Sequence, residues 1–369
     1  MRQLTSLDAQ FLALETPRIY GHVSGVLILD PSTAPGGVLS LADLQRLIIE
    51  RLPLIPVFHR RLAEVPFGLD YAYWVDDLPG AGKVGAAGRA LQALVRRDGI
   101  VTGRTLPTPP RTSFNGRVSA HRRIAFGQIP LDTVKDVKNM HGATVNDVVV
   151  SICAGAVRRW LLKHRELGTD PLIAQIPVSV RSPEQQGTFG NRILLMGVQL
   201  HTEIADPIDR LRATHDSLAE MKERHQALPA TLLQDANHFI PPALFTRAAQ
   251  VTFAWASNPH LRPTWNLVIS NVPGPQLPIY CAGARLEAIY PVSVITDGMG
   301  LNITVMSYNG NLNFGIVADR DVIPDLGKMM HWLEDELEAL SMPGATQAPA
   351  RAPGPPRRRR PRAVAPRRV

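Results

Sequence analysis

The feature that most constrains the fold is a pair of strand-like runs in the second half, LNITVMSYNGNLNFGIVAD (residues 301–319). Asn309-Gly310 divides the two runs, and Asn-Gly is the favoured centre of a two-residue type I′ hairpin. We therefore expect two antiparallel neighbours here. The runs LIAQIPVSVR (172–181) and ILLMGVQL (193–200) are also predicted strands, and their continuous apolarity favours buried positions in a sheet. WNLVISNVPGP (265–275) reads as a strand that enters a Pro-Gly turn.

Amphipathic helices are predicted between these strands. A long helix should begin after Thr144, because Thr144 is a good N-cap and Asp147 stands three residues later, as in a capping box. A shorter helix before it should end at Gly142, and further helices are expected over 206–228 and 323–340. Strands and helices alternate without a strict βαβ order. The predicted class is therefore α/β with a mixed sheet, or α+β.

The first 77 residues predict strand, helix and strand. The run from Gly21 to Asp30 is apolar and is expected to be a buried strand. A helix should follow between the N-cap Ser40 and Pro53, and residues 60–77 alternate in the manner of a strand.

A glycine run follows, with Gly80, Gly82 and Gly85 spaced as GxGxxG around Lys83. A Walker A loop is excluded, because Asp77 stands where its first glycine is needed and Val84 where its Ser or Thr is needed. A dinucleotide loop is a remote alternative. Asp98 lies near the offset of a ribose-binding carboxylate, but two carboxylates precede the loop and the next strand is broken by prolines. We prefer a Gly/Ala connector.

Charge and composition exclude several classes of protein. The formal net charge is +8, yet eight arginines lie in the Pro- and Arg-rich segment 344–369. Without them, 32 Lys and Arg balance 32 Asp and Glu, so the body predicts no specific nucleic-acid partner. The tail is expected to be disordered and could contact an anionic membrane or a lipid droplet.

The cysteine content and the lack of targeting segments indicate the compartment. There are two cysteines, Cys153 and Cys281, and we expect both to be reduced thiols. Because the sequence shows no signal peptide and no membrane-spanning run, the expected location is cytoplasmic, or peripheral at a membrane.

Several stretches taken together resemble the bacterial wax ester synthase/diacylglycerol acyltransferase family. They are LTSLDAQFLALET, HVSGVLILD, ATVNDVVVSICAGAVRRWL, IPVSVR, GTFGNRI, WNLVISNVPGP and YPVSVITDGMGLNITVMSYNGNLNFGIVAD. The resemblance covers residues 1–77 and 100–343. It divides the chain into a partial N-terminal domain (1–77), a connector (78–110), a C-terminal domain (111–343) and the tail (344–369).

The resemblance implies a chloramphenicol acetyltransferase-like fold with a truncated first domain. It also implies an acyl-CoA-dependent O-acyltransferase that acts on diacylglycerol or a long-chain alcohol, with acyl-CoA as co-substrate, no permanent cofactor and no metal. By resemblance, five residues belong near the substrate channel: Asn146, Asp147, Arg181, Asn191 and Asn271. Each also has an ordinary structural explanation, such as a helix cap, a turn or an ion pair.

The sequence departs from this family at the catalytic histidine. An alcohol must lose its proton as it attacks the thioester, and the family places a histidine for this in HHxxxDG. Here no two of the eleven histidines are adjacent, and neither Asp98-Gly99 nor Asp297-Gly298 has a histidine at the required offset. His22 is a weak substitute.

Two hypotheses follow, an acyltransferase or a noncatalytic acyl-CoA- or lipid-binding relative. Loss of the strands that carry the catalytic loop should leave the run from His22 to Asp30 exposed or packed on the second domain.

Overall fold

The computed structural model describes residues 2–4, 15–65, 72–76, 108–179, 193–226, 258 and 260–342. In chain order, the strands in this part are β1 (Arg2–Gln3), β2 (Ser24–Asp30), β3 (Arg60–Ala63), β4 (Tyr73–Asp76), β5 (Arg122–Pro130), β6 (Ile173–Ser179), β7 (Ile193–Gln199), β8 (Leu267–Val272), β9 (Tyr280–Cys281), β10 (Ala284–Val292), β11 (Leu301–Tyr308) and β12 (Asn311–Asp319). The α-helices are α1 (Leu41–Arg51), α2 (Leu131–His141), α3 (Val145–His164), α4 (Pro207–Gln226) and α5 (Gly327–Ser341).

A six-stranded mixed sheet is the centre of the fold, with the spatial order β5-β12-β11-β8-β6-β7. Strands β11, β8 and β6 run parallel to one another, whereas β5, β12 and β7 pair antiparallel with their neighbours. The predicted hairpin is confirmed: Tyr308 pairs with Asn311, and Asn309 and Gly310 have φ values of 43° and 79°. Both values lie in the left-handed region that a type I′ turn requires.

Helices α2, α3, α4 and α5 cover one face of this sheet and form the main core with it. Helix α3 is its central element, because most of its residues from Asp147 to Leu161 are buried. Cys153 lies within this helix, and burial raises the pKa of its thiol. The second cysteine, Cys281, is half-buried, and both thiols are free.

The helix caps predicted from the sequence are confirmed. Ser40 caps α1 in a capping box with Asp43, and Thr144 does the same for α3 with Asp147. Helix α2 ends just before Gly142, as its sequence predicts.

The predicted burial of the first strand is wrong. Residues Val26, Leu27 and Ile28 of β2 are 37%, 49% and 45% exposed. Consecutive residues of a strand point to opposite faces, so neither face of β2 is fully covered. The strand instead pairs antiparallel with β10 of the second half, in a sheet ordered β2-β10-β9. This matches the expectation that the run from His22 to Asp30 is exposed or packed on the second domain, whereas the reduction of the first domain stays a prediction.

The prediction of a single strand over residues 60–77 is also wrong. Two strands form instead, β3 and β4, which pair antiparallel within a third sheet of order β1-β4-β3. Pro66 and Gly68 separate the two runs in the sequence, and both residues disfavour a continuous strand.

A buried ionic cluster joins three of the helices. Glu336 of α5 accepts from Arg159 Nε of α3 at 2.7 Å and from Arg210 of α4, and the Glu336 and Arg210 side chains are 7% and 2% exposed. Gly155 leaves the space for this carboxylate, because a Cβ at position 155 would overlap it. The close contact at Gly155 and the ion pairs of Glu336 therefore both fix how the three helices pack against one another.

Among the described helices, none alone has the length and apolarity to cross a membrane. Helices α2 and α3 meet the length and composition criteria only when they are taken together, with a bend of 99° between them.

Candidate functional site

The N-terminus of α3 lies at the carboxyl end of strand β8. The two elements meet through side chains: Asn271 Nδ2 donates to Asn146 Oδ1 at 3.3 Å. Asn271 shares a face of β8 with the buried Leu267 and Ile269, so it continues the helix-covered face to the edge of the sheet. In open sheets with parallel strands, ligands commonly bind at this carboxyl edge, next to helix N-termini.

A capping box stabilises the first turn of α3. Asp147 Oδ2 accepts from the backbone N–H of Thr144 at 2.8 Å, and the Asp147 N–H donates to Thr144 Oγ1 at 3.2 Å. These bonds fold the carboxylate of Asp147 back over the helix start, where the helix dipole favours a negative charge. The structure therefore supports the cap explanation of Asp147.

Asp147 makes a second contact that the sequence did not reveal. Its Oδ2 lies 2.7 Å from Nδ1 of His215, on helix α4. The Asp147 side chain is 1% exposed and the His215 side chain 45%. Asp147 Oδ1 is buried and has no hydrogen-bond partner in the part of the chain that the structure describes.

A cleft of about 100 Å³ lies beside this pair. Seven residues from the α2–α3 turn and helix α4 line it: His141, Gly142, Ala143, Leu211, Arg212, His215 and Asp216. His215 therefore has one ring nitrogen on a buried carboxylate, while its side chain lines an open space. Within the described ranges, no cluster of His, Cys, Asp and Glu side chains has an arrangement suited to a metal ion.

Sequence reasoning missed His215 because its pattern is that of an amphipathic surface helix. The partner Asp147 is 68 residues away in the chain. Only the packing of α4 on α3 brings the two together. The sequence offered one signal, an aspartate at the start of an otherwise apolar helix, since a carboxylate that becomes buried requires donors.

The five channel residues expected by resemblance have different outcomes. Asn146, Asp147 and Asn271 lie together at the start of α3. Arg181 and Asn191 lie outside the described residues, as do the glycine run and the Arg-rich tail. The role of all five in a substrate channel stays a prediction.

His22, the weak substitute for the catalytic base, is exposed and precedes β2 instead of lying within a buried strand. The predicted strand begins only at Ser24, beyond this residue.

Comparisons with known proteins agree with the resemblance. The wax ester synthase/diacylglycerol acyltransferase catalytic-domain model matches residues 4–79 and 81–149, and the C-terminal-domain model of the same family matches residues 189–341. These matched ranges do not test the predicted domain boundaries at residues 77, 110 and 343, which stay a prediction.

Two curated relatives illustrate the similarity. A putative diacylglycerol O-acyltransferase of Mycobacterium tuberculosis is 38% identical over 245 residues, which is 64% of this chain and 47% of the relative. An O-acyltransferase of Acinetobacter baylyi is 35% identical over 229 residues, or 62% of this chain and 48% of the relative. The chain thus spans about half the length of the curated relatives it matches.

Solved structures establish the fold. The wax ester synthase/diacylglycerol acyltransferase of Marinobacter aquaeolei superposes with a TM-score of 0.65 at 24% identity, over 92% of this chain and 98% of that one. The first condensation domain of the calcium-dependent antibiotic synthetase gives a TM-score of 0.56 at 14% identity, over 94% and 97%. The predicted mixed α/β class and acyltransferase-like fold are confirmed. On the two family-model matches, which together cover most of its residues, the chain belongs to the wax ester synthase/diacylglycerol acyltransferase family.

Proposed function

We propose that this chain is an acyl-CoA-dependent O-acyltransferase that esterifies a lipid alcohol, either a diacylglycerol or a long-chain alcohol. The observation that carries the proposal is the hydrogen bond between Asn146 and Asn271. It joins two separate stretches typical of the family, ATVNDVVV and SNVPGP, at one edge of the sheet.

The chemistry of this edge suits acyl transfer. As an alcohol oxygen attacks a thioester, negative charge develops on the carbonyl oxygen, and donors placed there stabilise it. The first N–H groups of a helix have no intrahelical acceptor, and the helix N-terminus carries a partial positive charge. In α3 the N–H of Asp147 already donates to Thr144 Oγ1, so the N–H groups of Val145 and Asn146 are the ones that could bind an acyl oxygen, together with the side-chain amide of Asn146.

The second candidate function is a noncatalytic protein that binds acyl-CoA or lipid. The sequence favours it by one observation, the absence of HHxxxDG from the chain. In this alternative the edge of the sheet would hold the acyl-CoA without transferring its acyl group.

An assay of the purified full chain separates the two candidates. Release of free coenzyme A from palmitoyl-CoA is measured with hexadecanol or dipalmitoylglycerol present, and the ester product is identified by mass spectrometry. Turnover above the rate without acceptor supports the acyltransferase. Binding of palmitoyl-CoA in calorimetry without turnover supports the noncatalytic alternative.

We further propose that the Arg-rich segment 344–369 brings the chain to anionic lipid surfaces. Each Lys or Arg near such a surface contributes about 1 kcal/mol, and the contribution falls as salt screens the charges. The fraction of the protein that sediments with phosphatidylserine vesicles should therefore fall when salt is added and when this segment is removed.

A further inference from the structure

We infer that His215, held by Asp147, is the general base of this chain, and that it activates a hydroxyl group for attack on an acyl carbonyl. The inference rests on the proposed acyl transfer and names the group that takes the proton. The cleft beside the start of α3 would hold the hydroxyl compound, an alcohol or, in hydrolysis, water.

The environment of His215 differs from that of six other histidines whose side chains the structure describes. The ring of His59 contacts the carbonyl of Leu52, and that of His141 the carbonyl of Leu340. His121, His164 and His331 lie 3.6–3.8 Å from carboxylates, beyond a hydrogen bond.

His201 has both ring nitrogens engaged. Its Nδ1 lies 3.2 Å from Glu203 Oε1, and its Nε2 lies 2.8 Å from Ser217 Oγ. In contrast, Nδ1 of His215 lies 2.7 Å from Oδ2 of the buried Asp147, and its Nε2 has no hydrogen-bond partner within the described ranges.

The carboxylate determines how the imidazole works. An ionised Asp147 only accepts hydrogen bonds, so it holds the proton of the neutral ring on Nδ1 and leaves the lone pair on Nε2. It also stabilises the imidazolium that forms when Nε2 takes a proton, as the aspartate does in carboxylate–imidazole catalysis. Apart from His215, the Asp147 carboxylate accepts only from the N–H of Thr144 among the described residues, and its Oδ1 has no partner there.

The step balances without a further reactant. Nε2 of His215 removes the hydroxyl proton while the hydroxyl oxygen bonds to the thioester carbonyl carbon. The tetrahedral intermediate then collapses, the carbon–sulfur bond breaks, and the imidazolium returns its proton to the leaving thiolate. The products are an ester and a free thiol, or a carboxylic acid and a thiol when water is the acceptor.

The surroundings of the cleft are mixed in charge. His141 at the end of α2, Arg212 and Asp216 of α4 line it with His215. Leu211 and Ala143 add apolar surface, which suits the alkyl part of a hydroxyl compound.

Two substitutions and one matched control test the inference in the full-length protein. His215→Gln removes the base, and Asp147→Asn keeps the shape of the carboxylate but removes the negative charge that stabilises the imidazolium. His201→Gln changes a neighbouring imidazole that already has two partners. Two rates are measured: coenzyme A release from palmitoyl-CoA with hexadecanol, and hydrolysis of p-nitrophenyl acetate, which needs no acyl-CoA.

We expect His215→Gln to lower kcat for both reactions by about 100-fold or more, as loss of a general base does, with KM little changed. Asp147→Asn should also lower kcat for both reactions, whereas His201→Gln should keep both kcat values within about twofold of the wild type. Long-range ¹⁵N–¹H spectra supply a readout apart from activity: the proton of the neutral His215 ring should lie on Nδ1 in the wild type, and a proton on Nε2 would overturn the inference.

The outcomes separate this inference from the proposed function. Coenzyme A release that persists in His215→Gln would overturn the inference and leave the proposed function standing. Ester hydrolysis that depends on His215, without coenzyme A release, would support the inference and remove the proposed function. A wild type inactive in both assays, or an equal loss in His201→Gln, would overturn the inference.

Discussion

Asn271 at the end of β8 donates to Asn146 in the first turn of α3 across 3.3 Å, and this bond joins two family stretches that are 125 residues apart. Both side chains are half-buried. In the proposed function, this pair orients an acyl group at the edge of the sheet.

Replacing Asn271 by Ala should therefore reduce activity more than stability. We expect kcat/KM for coenzyme A release to fall about 10-fold or more, whereas the free energy of unfolding falls by only about 0.5–1.5 kcal/mol, the net contribution of one hydrogen bond. Kinetics and urea denaturation measure the two effects. Gln45→Ala on the exposed face of α1 is the control. An equal fall of kcat/KM in both variants would contradict a role of Asn271 in acyl transfer.

Gly155→Ala should destabilise the protein although alanine favours helices. A Cβ at this position overlaps the carboxylate of Glu336, which must move away from Arg159 and Arg210. Overpacking of this kind costs about 1–3 kcal/mol. Urea denaturation should show the loss, whereas Gly168→Ala, where a Cβ meets only a backbone nitrogen at 3.9 Å, should change stability by less than about 0.5 kcal/mol. Equal midpoints for the two variants would show that Glu336 relaxes freely.

Stability should fall in acid through Asp325, which pairs with Lys163 of α3. Partial burial alone would raise the pKa of Asp325, but the hydrogen bond and charge of Lys163, together with a backbone hydrogen bond and His164, lower this pKa below its ordinary value. A lowered pKa in the folded state stabilises the protein above the unfolded value and loses that contribution as the pH falls through the folded value.

Thermal midpoints between pH 5 and pH 2 should therefore fall less steeply in Asp325→Asn than in the wild type. Asp132→Asn, on a side chain that is 83% exposed, is the matched control. A slope in Asp325→Asn equal to that of the wild type would contradict the prediction.

His22→Ala should leave coenzyme A release within about twofold of the wild type and the thermal midpoint unchanged. The residue is exposed and lies before β2, away from the buried carboxylate that activates an imidazole. Turnover that disappears in this variant would identify His22 as the base and contradict the role inferred for His215.

Local sequence determined much of the fold. Asn309-Gly310 specified the hairpin, and Thr144 with Asp147 specified the start of α3, because turns and caps depend on residues within a few positions. Burial of the first strand was predicted wrongly, because burial depends on what packs against a strand and not on its own apolarity. The strand pairs with β10, more than 250 residues away, and in the part of the chain that the structure describes neither of its faces is fully covered.

By itself, the sequence identified the mixed α/β class, the caps, the hairpin and the missing HHxxxDG. Tertiary structure alone decided which polar groups meet: Asn146 with Asn271, and Asp147 with His215. A surface helix and a buried helix have distinct apolar patterns, but no pattern within either one specifies which side chains touch across their interface. That pairing follows from the packing of α3 and α4 on the shared sheet, which places an imidazole against a buried carboxylate.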